Sequence, residues 1–454
     1  MSERGAGRDA DRLPEIATAL RAAGARFGTP VQVTDQAMLE ASAAAVRAAF
    51  PDPWLRAFSV KANDVTPIVA RVAALGFDAN VVSRGEWAVA RKAGLPNARI
   101  TLEGVGKVDA DLRAACDAAA RGDSVRWIAI ESMDEAEALV EISRRRLGGA
   151  AAGAAGAGRR VQALKPVLDV LFRLNPEVAP ETQHGLAVGA GSSKFGMTAD
   201  ELSTAVEVVS GVTGLVPRGI QLHVGSQLRA VDAWRDAVRR GLALLALLGG
   251  TRARFDTLDV GGGFPVLPLG EGAPAPERFA RELPPLLDSI PADRRPKRLA
   301  IEPGRALVAR AGYLVARVLH VRERGGRQIV LDTGMTELIR PALYEAWHEI
   351  TALTSLGRPV DARPRGRRGG TPIAEPGLEP ARVDGPICES TDHLGDHLLP
   401  PLRRGDLVAI RDAGAYSASL ASTYNGRPRP PQVIIEPDGS LILARRRGSV
   451  ASLG

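Results

Sequence analysis

The sequence from 55 to 75, Leu55-Arg-Ala-Phe-Ser-Val-Lys-Ala-Asn-Asp-Val-Thr-Pro-Ile-Val-Ala-Arg-Val-Ala-Ala-Leu75, joins a short apolar run to an amphipathic segment. The run Leu55–Val60 is typical of a buried parallel strand, and Val65–Leu75 has the periodicity of a helix. The same alternation continues to Arg305, which predicts repeated βα units and a parallel sheet. Its eight apolar runs are Leu55–Val60, Phe77–Val82, Arg99–Leu102, Val125–Ile130, Val167–Leu174, Gly219–His223, Phe255–Val260 and Leu299–Glu302.

The region of alternating runs has the length expected of one large barrel. Eight βα units over about 250 residues match a (β/α)8 barrel, so the sequence predicts an α/β fold with a barrel over residues 34–305. After Arg305 the pattern changes to short strands such as Gly312–Val321, Arg327–Leu331 and Gln432–Ile435, bounded by Gly, Pro and Asp. We therefore expect a second, all-β domain, a sandwich or barrel-like structure, that comprises residues 306–454 together with 1–33.

Two segments have a biased composition. Gly148–Gly158 contains only glycine and alanine and predicts a surface insertion before the fifth strand. Gly357–Gly377 is rich in Arg, Pro and Gly and predicts a solvated loop within the second domain.

The overall composition is that of a globular protein of 454 residues, with 45% hydrophobic and 24% charged residues, which excludes a wholly disordered chain. The longest apolar stretch, Leu242–Leu248, is far shorter than the roughly 18 to 20 residues that cross a bilayer, and the polar start lacks the apolar region of a signal peptide. Basic residues are spread along the chain despite a net charge of +7, and only 4% of residues are aromatic, which argues against a nucleic-acid-binding surface. We expect a cytoplasmic protein that acts on a small molecule and binds neither membrane nor nucleic acid.

Chemically distinctive residues follow four of the predicted strands, where the active site of such a barrel lies. Lys61 follows the first run, where a partly desolvated amine can act as a nucleophile. His223 ends the sixth run, and Gly261–Gly263, after the seventh, can bring backbone N–H groups close to an anion. Glu302 ends the eighth run and is followed by Gly304 and Arg305, in a loop that often binds phosphate in these barrels.

Each feature has an ordinary structural explanation when it is taken alone. A lone lysine more often extends to solvent, a lone histidine is more often structural, and three glycines also suit a tight turn. Together, an imine-forming lysine, a histidine able to stack on a ring, a phosphate-binding loop and a carboxylate able to hold a pyridinium nitrogen describe a site for pyridoxal phosphate.

On these motifs the chain resembles the fold-type III pyridoxal-phosphate decarboxylases of amino acids, and the resemblance extends from Phe27 to Pro430. Within that family it is most similar to the enzymes that convert meso-2,6-diaminopimelate to L-lysine and carbon dioxide. The resemblance implies that Lys61 is the Schiff-base lysine, that His223 stacks on the cofactor ring and that Glu302 keeps the ring nitrogen protonated. The other cofactor contacts that it implies are Ser226, Gly261, Gly262, Gly263, Gly304, Arg305 and Tyr416.

The resemblance also implies which residues hold and protonate the substrate. The substrate-binding residues would be Arg305, Arg340, Tyr344, Glu389 and Tyr416. The arginines match positions that grip a carboxylate, Glu389 resembles the acid that recognises the distal ammonium, and Cys388 resembles the proton donor. The enzyme would be a homodimer with shared active sites, to which Cys388 and Glu389 come from the partner.

Three positions depart from the family pattern. Asn80 stands where relatives usually carry Asp, and Arg84 and Thr391 stand where they usually carry Gly. Because Asn80 and Arg84 lie at the end of the second predicted strand, they bear on reaction rate and substrate range.

Other interpretations stay open. The nearest is a decarboxylase of the same fold that acts on ornithine, arginine, carboxynorspermidine or a carrier-bound amino acid, and Glu389 with Arg340 argues against the first two. An alanine-racemase-like isomerase and a catalytically silent binding protein are two further alternatives. Lys194 is the runner-up for the reactive lysine, and His393 with His397 would have the spacing of metal ligands if their segment were helical, although we expect no metal site.

Overall fold

In a computed structural model of the chain, the described residues are 11–147, 167–182, 187–189, 191, 193–250, 252, 254–268, 272–360 and 377–452. The predicted insertion Gly148–Gly158 and most of the predicted loop Gly357–Gly377 lie outside these residues. The chain divides into two compact units. The barrel unit comprises Val46–Pro265 and Gly272–Gly304, and the sheet unit comprises Met1–Ala45, Val266–Glu271 and Arg305–Gly454.

The barrel unit contains a closed barrel of eight parallel strands, which confirms the predicted fold class. Strands are numbered along the chain, and the first, β1 (Val31–Asp35), belongs to the sheet unit. The barrel strands are β2 (Leu55–Ser59), β3 (Asp78–Val81), β4 (Ile100–Leu102), β5 (Trp127–Ile130), β6 (Leu168–Leu174), β7 (Leu215–Leu222), β8 (Thr257–Asp259) and β9 (Arg298–Ile301). Strand β2 pairs with both β3 and β9, which closes the barrel. Each predicted run coincides with one strand, although β7 begins four residues before the predicted Gly219 because Pro217 and Arg218 interrupt its apolar pattern.

Helices alternate with these strands. They are Thr66–Ala74, Arg84–Lys92, Asp109–Ala120, Met133–Arg146, Ala199–Ser210, Asp232–Gly249, Pro276–Ala280 and Leu283–Asp288, and a further helix, Gln36–Ala49, crosses the division between the units at Ala45. Ala199–Ser210 illustrates why they form, since Thr198 and Glu201 make a capping box and its apolar residues share one buried face. No helix within the described ranges has both the length and the apolar character that spanning a bilayer requires.

One face of the barrel strands changes from apolar to polar along the chain direction. The buried apolar cluster on this face is formed by Trp127, Ala129, Leu171 and Ala300. Side chains alternate along a strand, so Glu131, Arg173 and Glu302 lie on the same face two residues further on. The carboxyl ends of the strands are therefore the polar end of the barrel.

The sheet unit is built on a nine-stranded sheet whose main path is β16-β15-β11-β10-β1-β18-β19. Its later strands are β10 (Gly312–Glu323), β11 (Arg327–Leu331), β12 (Ile350–Ala352), β13 (Thr354–Ser355), β14 (Arg358–Pro359), β15 (Glu379–Asp384), β16 (His393–Leu399), β17 (Leu407–Ile410), β18 (Gln432–Ile435) and β19 (Leu441–Arg445). Three helices belong to this unit, namely Leu13–Phe27, Arg305–Val308 and Arg340–Tyr344 among the described residues. Leu13–Phe27 packs its apolar face on β1, β10, β17 and β18, so the unit is sheet-rich but includes one long helix that the sequence pattern did not predict.

Candidate active site

Lys61 lies in a turn of 3₁₀ helix, Val60–Ala62, directly after β2. The loop after β9 packs closely against this turn. A Cβ atom on Gly304 would lie 3.1 Å from the Cβ of Ser59 and 3.2 Å from that of Ala62. The structure therefore brings the predicted reactive lysine and the predicted phosphate-binding Gly304 to the same end of the barrel.

Three titratable groups lie within electrostatic reach of the Lys61 amine. Burial raises the pKa of Glu86 and of Glu302 and lowers that of His223, and the charge of Lys61 acts on all three groups. Sequence reasoning missed Glu86, although it occupies the third position of the helix Arg84–Lys92, which follows β3. The positive charge of Lys61 thus shifts the pKa values of all three groups.

Glu302 belongs to a buried cluster of acidic side chains. Oxygen atoms of Glu103, Asp259 and Glu302 lie within 4.8 Å of one another, and Gln221 donates a hydrogen bond from Nε2 to Glu302 Oε1 at 2.7 Å. Burial and then repulsion by neighbouring carboxylates raise the pKa of Asp259 and of Glu302 well above the usual range. Carboxyl groups this close share protons rather than all ionising. Sequence reasoning missed Glu103, Asp259 and Gln221, because each lies at or next to the end of a strand without a motif that marks its chemistry.

The His223 ring is fixed by the glycine loop after β8. The Gly262 N–H donates to His223 Nδ1 at 3.2 Å, so the neutral imidazole carries its proton on Nε2. Burial, followed by the charges of Lys61 and Arg173, lowers the pKa of His223 well below its usual value. The predicted ring-stacking residue is therefore a neutral, oriented imidazole.

Glycine is required in this loop because the backbone approaches other backbone closely. Gly261 and Gly263 have φ of +70° and +98°, and Cβ atoms there would lie 2.2 Å from Leu222 O and 2.6 Å from Gly225 O. The Leu228 N–H donates to Gly263 O at 3.2 Å, which joins this loop to the one after β7 that contains Ser226. The predicted phosphate contacts Ser226 and Gly261–Gly263 are thus on neighbouring loops.

In the sheet unit, Arg305 begins the helix Arg305–Val308, and its guanidinium carbon lies 4.8 Å from the centre of the Tyr416 ring. Tyr416 has φ of +57°, a conformation that aromatic residues rarely adopt. The loop before it packs on the helix so tightly that a Cβ on Gly414 would lie 1.8 Å from Val308 O. This packing places the ring of Tyr416 against the guanidinium of Arg305, two residues that were predicted to bind cofactor and substrate.

Arg340 begins the short helix Arg340–Tyr344 and is 6% exposed. Burial, and then the charge of Arg305, lower the pKa of Arg340 to about 9. Tyr344 and Tyr416 also act on both guanidinium groups. The sheet unit therefore brings together four of the five predicted substrate-binding residues, namely Arg305, Arg340, Tyr344 and Tyr416.

Cys388 and Glu389 lie in the exposed loop between β15 and β16. Asn425 Nδ2 donates to Cys388 Sγ at 3.4 Å, and the Tyr424 hydroxyl donates to the Glu389 carboxylate. Asp392, which sequence reasoning did not identify as functional, organises this loop from within.

The Asp392 carboxylate connects two of the predicted motifs. It accepts from the Met335 N–H at 2.6 Å and from the Ile387 N–H at 2.7 Å. It therefore joins the segment that leads to Arg340 with the segment that carries Cys388.

The three family departures have different surroundings. Asn80 is buried in β3, between Ser59 and Thr101 in the neighbouring strands. Arg84 donates from Nε to Asp111 Oδ1 at 2.7 Å and is half-exposed, so its side chain makes an ion pair between helices. Thr391 Oγ1 donates to Glu389 Oε2 at 3.4 Å in the exposed loop.

Two weaker hypotheses from the sequence concern His393 with His397, and Lys194. His393 and His397 lie in strand β16 and not in a helix, so they do not have the spacing of a helical metal-binding pair. His393 Nδ1 lies 3.0 Å from Asp384 Oδ1, and the His397 ring stacks on Trp347 at 5.5 Å. The amine of Lys194 lies 5.4 Å from the centre of the Phe195 ring.

The acidic cluster predicts a pH-dependent stability for the cofactor-free protein. Because the pKa of Asp259 is raised in the folded protein, the folded state favours the protonated carboxyl group. The stability that this gives is fully present below the unfolded pKa, about 3.9. It is lost as the pH rises from that value through the folded pKa. An asparagine side chain cannot ionise, so Asp259→Asn should gain up to about 1.4 kcal/mol per pH unit relative to the natural protein in that window. Thermal unfolding at pH 5, 7 and 9 measures this gain, and a difference between the two proteins that is independent of pH would contradict it.

The polar interior of the barrel unit fits the cofactor that the family resemblance implies. Both amide atoms of Asn80, Gln221 Oε1 and Asp259 Oδ2 are buried and have no hydrogen-bond partner among the described residues. Such atoms are the groups that a polar ligand would satisfy. With the Lys61 amine and the Gly261–Gly263 loop at the same end, the residues present suit pyridoxal phosphate.

Comparisons with known proteins agree with this geometry. The family model for the pyridoxal-binding domain of pyridoxal-dependent decarboxylases matches residues 36–309. The diaminopimelate decarboxylase of Aquifex aeolicus is 34% identical over 426 residues, which cover 93% of this chain and 90% of that protein. The diaminopimelate decarboxylase of Actinosynnema pretiosum is 36% identical over 433 residues, which cover 93% of this chain and 87% of that protein.

A solved structure is also similar over nearly the whole chain. The crystal structure of diaminopimelate decarboxylase from Helicobacter pylori, complexed with L-lysine, has a TM-score of 0.79 and 26% sequence identity, and the match covers 95% of this chain and 98% of that one. The chain therefore belongs to the family of pyridoxal-dependent decarboxylases, with pyridoxal phosphate as its cofactor.

Proposed function

We propose that this enzyme decarboxylates meso-2,6-diaminopimelate to L-lysine and carbon dioxide, a step of lysine biosynthesis. The observation that carries the proposal is the pair of buried arginines, Arg305 and Arg340, in the sheet unit. Guanidinium groups bind carboxylates bidentately, so two of them suit a substrate that keeps one carboxylate after losing the other. The relatives named diaminopimelate decarboxylase, which match nearly the whole chain, support the same substrate.

When bound, the cofactor supplies a protonated pyridine ring that withdraws the electron pair of the breaking Cα–carboxylate bond. Lys61 would hold the cofactor covalently until the substrate amine replaces it. Glu302, oriented by Gln221, would hold the ring nitrogen in its protonated form. Glu302 would ionise more readily beside a positively charged ring nitrogen, which would offset the repulsion from Glu103 and Asp259. The neutral His223 would cover one face of the ring without adding charge.

The two arginines would grip the carboxylate that the product retains. An ion pair stabilises a carboxylate relative to neutral carbon dioxide, so a guanidinium on the departing group would slow its loss. The departing carboxylate is therefore the one left without a guanidinium partner. Arg305 and Arg340 would thus fix which end of the substrate reacts.

Cys388 would return a proton to the α-carbon after carbon dioxide leaves, and Glu389 would bind the distal ammonium of the substrate. In the proposed homodimer these two residues act in the active site of the other subunit, which suits their exposed loop. Light scattering that gave the single-chain mass of 47.8 kDa would contradict this assembly.

Rates of carbon dioxide release from a panel of amino acids test the proposed substrate. We expect the holoenzyme to release carbon dioxide from meso-diaminopimelate at least about a hundredfold faster than from ornithine, arginine or lysine, because each of these lacks the second carboxylate. Faster release from ornithine or arginine would favour the same-fold alternative. A cofactor-loaded protein inert toward all four would direct attention to carrier-bound or pathway-specific substrates, with Asn80 the first residue to revert to the family's Asp.

A further inference from the structure

Arg340 is held by a buried histidine that the sequence motifs do not include. His348 is 2% exposed, and its Nε2 lies 2.8 Å from Arg340 Nη1. Its Nδ1 lies 2.8 Å from the backbone oxygen of Arg411. The imidazole therefore bridges a guanidinium group and a main-chain carbonyl.

The two contacts fix the tautomer of His348. A carbonyl oxygen can only accept, so Nδ1 carries the proton and donates to it. A guanidinium can only donate, so Nε2 is the unprotonated acceptor. Burial, and then the charge of Arg340, lower the pKa of His348 to about 3, so the ring is neutral at physiological pH.

Sheet register fixes the carbonyl that anchors this ring. Arg411 directly follows β17, and its N–H donates to Glu349 O at 2.9 Å. Strands β12 and β17 continue this pairing through Ile350 and Ile410. The position of His348 is thus set by the sheet rather than by a flexible loop.

Two other arginines of the sheet unit, the buried Arg411 and the largely buried Arg310, have acidic partners. Arg310 donates twice to Asp412, and Arg411 pairs with Asp11. Arg340 instead donates to a neutral ring, and its Nε is buried without a partner among the described residues. A carboxylate in place of His348 would offset the charge of the guanidinium and occupy the donors that a ligand needs.

We infer that His348 is a positioning residue, which holds Arg340 in its binding orientation while leaving the guanidinium charge available to the retained carboxylate of the substrate. The inference rests on the proposed function, because it takes a dicarboxylic amino acid as the ligand of Arg340. It makes His348 a determinant of specificity rather than a catalytic residue.

Steady-state kinetics of the His348→Phe holoenzyme test this role, because phenylalanine keeps the ring volume and removes the acceptor. We expect the KM for meso-diaminopimelate to rise about tenfold or more while kcat changes less than about threefold, since the retained carboxylate is remote from the breaking bond. The inhibition constant of L-lysine, which keeps that carboxylate, should rise by a similar factor. That of cadaverine, which has no carboxylate, should stay unchanged.

Three further variants separate positioning from a general structural effect. In His348→Gln the side-chain amide oxygen can still accept from Arg340, so it should restore part of the KM, and it carries the test if the phenylalanine variant does not fold. In an Arg340→Ala background, His348→Phe should change KM less than about twofold. His397→Phe removes another buried histidine of the same sheet unit and should leave KM unchanged.

The outcomes distinguish the inference from the proposed function. A natural enzyme that forms lysine, together with a His348→Phe variant that has the natural KM, would overturn the inference alone. An equal rise in KM in the Arg340→Ala background, or an equal rise in the cadaverine constant, would also overturn it. A natural enzyme that forms no lysine from meso-diaminopimelate would overturn both.

Discussion

Replacing Lys61 with alanine should reduce kcat by roughly 10⁴-fold or more, the scale on which enzymes lose activity when a group that forms a covalent bond is removed. Lys61 lies in the turn directly after β2, which packs against Gly304, and the charge of its amine acts on the pKa values of Glu302 and His223. No other side chain of the described barrel unit combines an amine with these neighbours. Lysine formation from meso-diaminopimelate measures the loss.

Two observations besides activity accompany this substitution. Borohydride treatment of the natural holoenzyme should attach the cofactor to the peptide that contains Lys61, and mass spectrometry of Lys61→Ala should find no such attachment. Lys194→Ala is the matched control, because this lysine was the runner-up in the sequence and its amine lies against Phe195. Cofactor attached at Lys194, or a fully active Lys61→Ala enzyme, would refute the assignment.

Replacing Glu302 with glutamine should reduce kcat by about a thousandfold, comparable to the loss of a preorganised electrostatic group in other enzymes. The glutamine has nearly the same shape, and its amide oxygen can still accept from Gln221 Nε2. The negative charge is lost, however, so the ring nitrogen would no longer be held protonated. The effect should therefore fall on kcat rather than on cofactor binding.

Glu302→Asp provides the comparison, because it keeps the charge and shortens the reach of the carboxylate. Its kcat should lie between those of the natural enzyme and Glu302→Gln. Cofactor affinity, followed by the fluorescence of the bound cofactor, should change less than about tenfold in either variant. A Glu302→Gln enzyme that retained its cofactor and more than a tenth of the natural kcat would show that this carboxylate does not hold the ring nitrogen.

The barrel could be predicted from the sequence because most of its strands are local apolar runs followed by an amphipathic helix. Lys61, His223 and Glu302 were identifiable for a related reason, since barrel geometry places the residue after each strand at the active end. Leu13–Phe27 was missed although its buried residues have helical spacing, because its alanines weaken the apolar contrast. A metal site at His393 and His397 required their segment to be helical. The segment is a strand instead, because it pairs with β15.

The remaining site residues depend on contacts that sequence spacing does not reveal. Glu103 and Asp259 acquire significance only when barrel closure brings their carboxyl groups to Glu302. His348 lies eight residues from Arg340, yet its tautomer is decided by the carbonyl of Arg411, 63 residues further along the chain. Side chains whose role is to orient another side chain carry no motif of their own.

The most direct test of the proposed function is to follow carbon dioxide and lysine together when the purified holoenzyme is given meso-diaminopimelate. We expect one molecule of L-lysine for each carbon dioxide released, and loss of both products in Lys61→Ala. Cofactor-loaded enzyme that releases no carbon dioxide from meso-diaminopimelate, or that releases it without forming lysine, would contradict the proposed function.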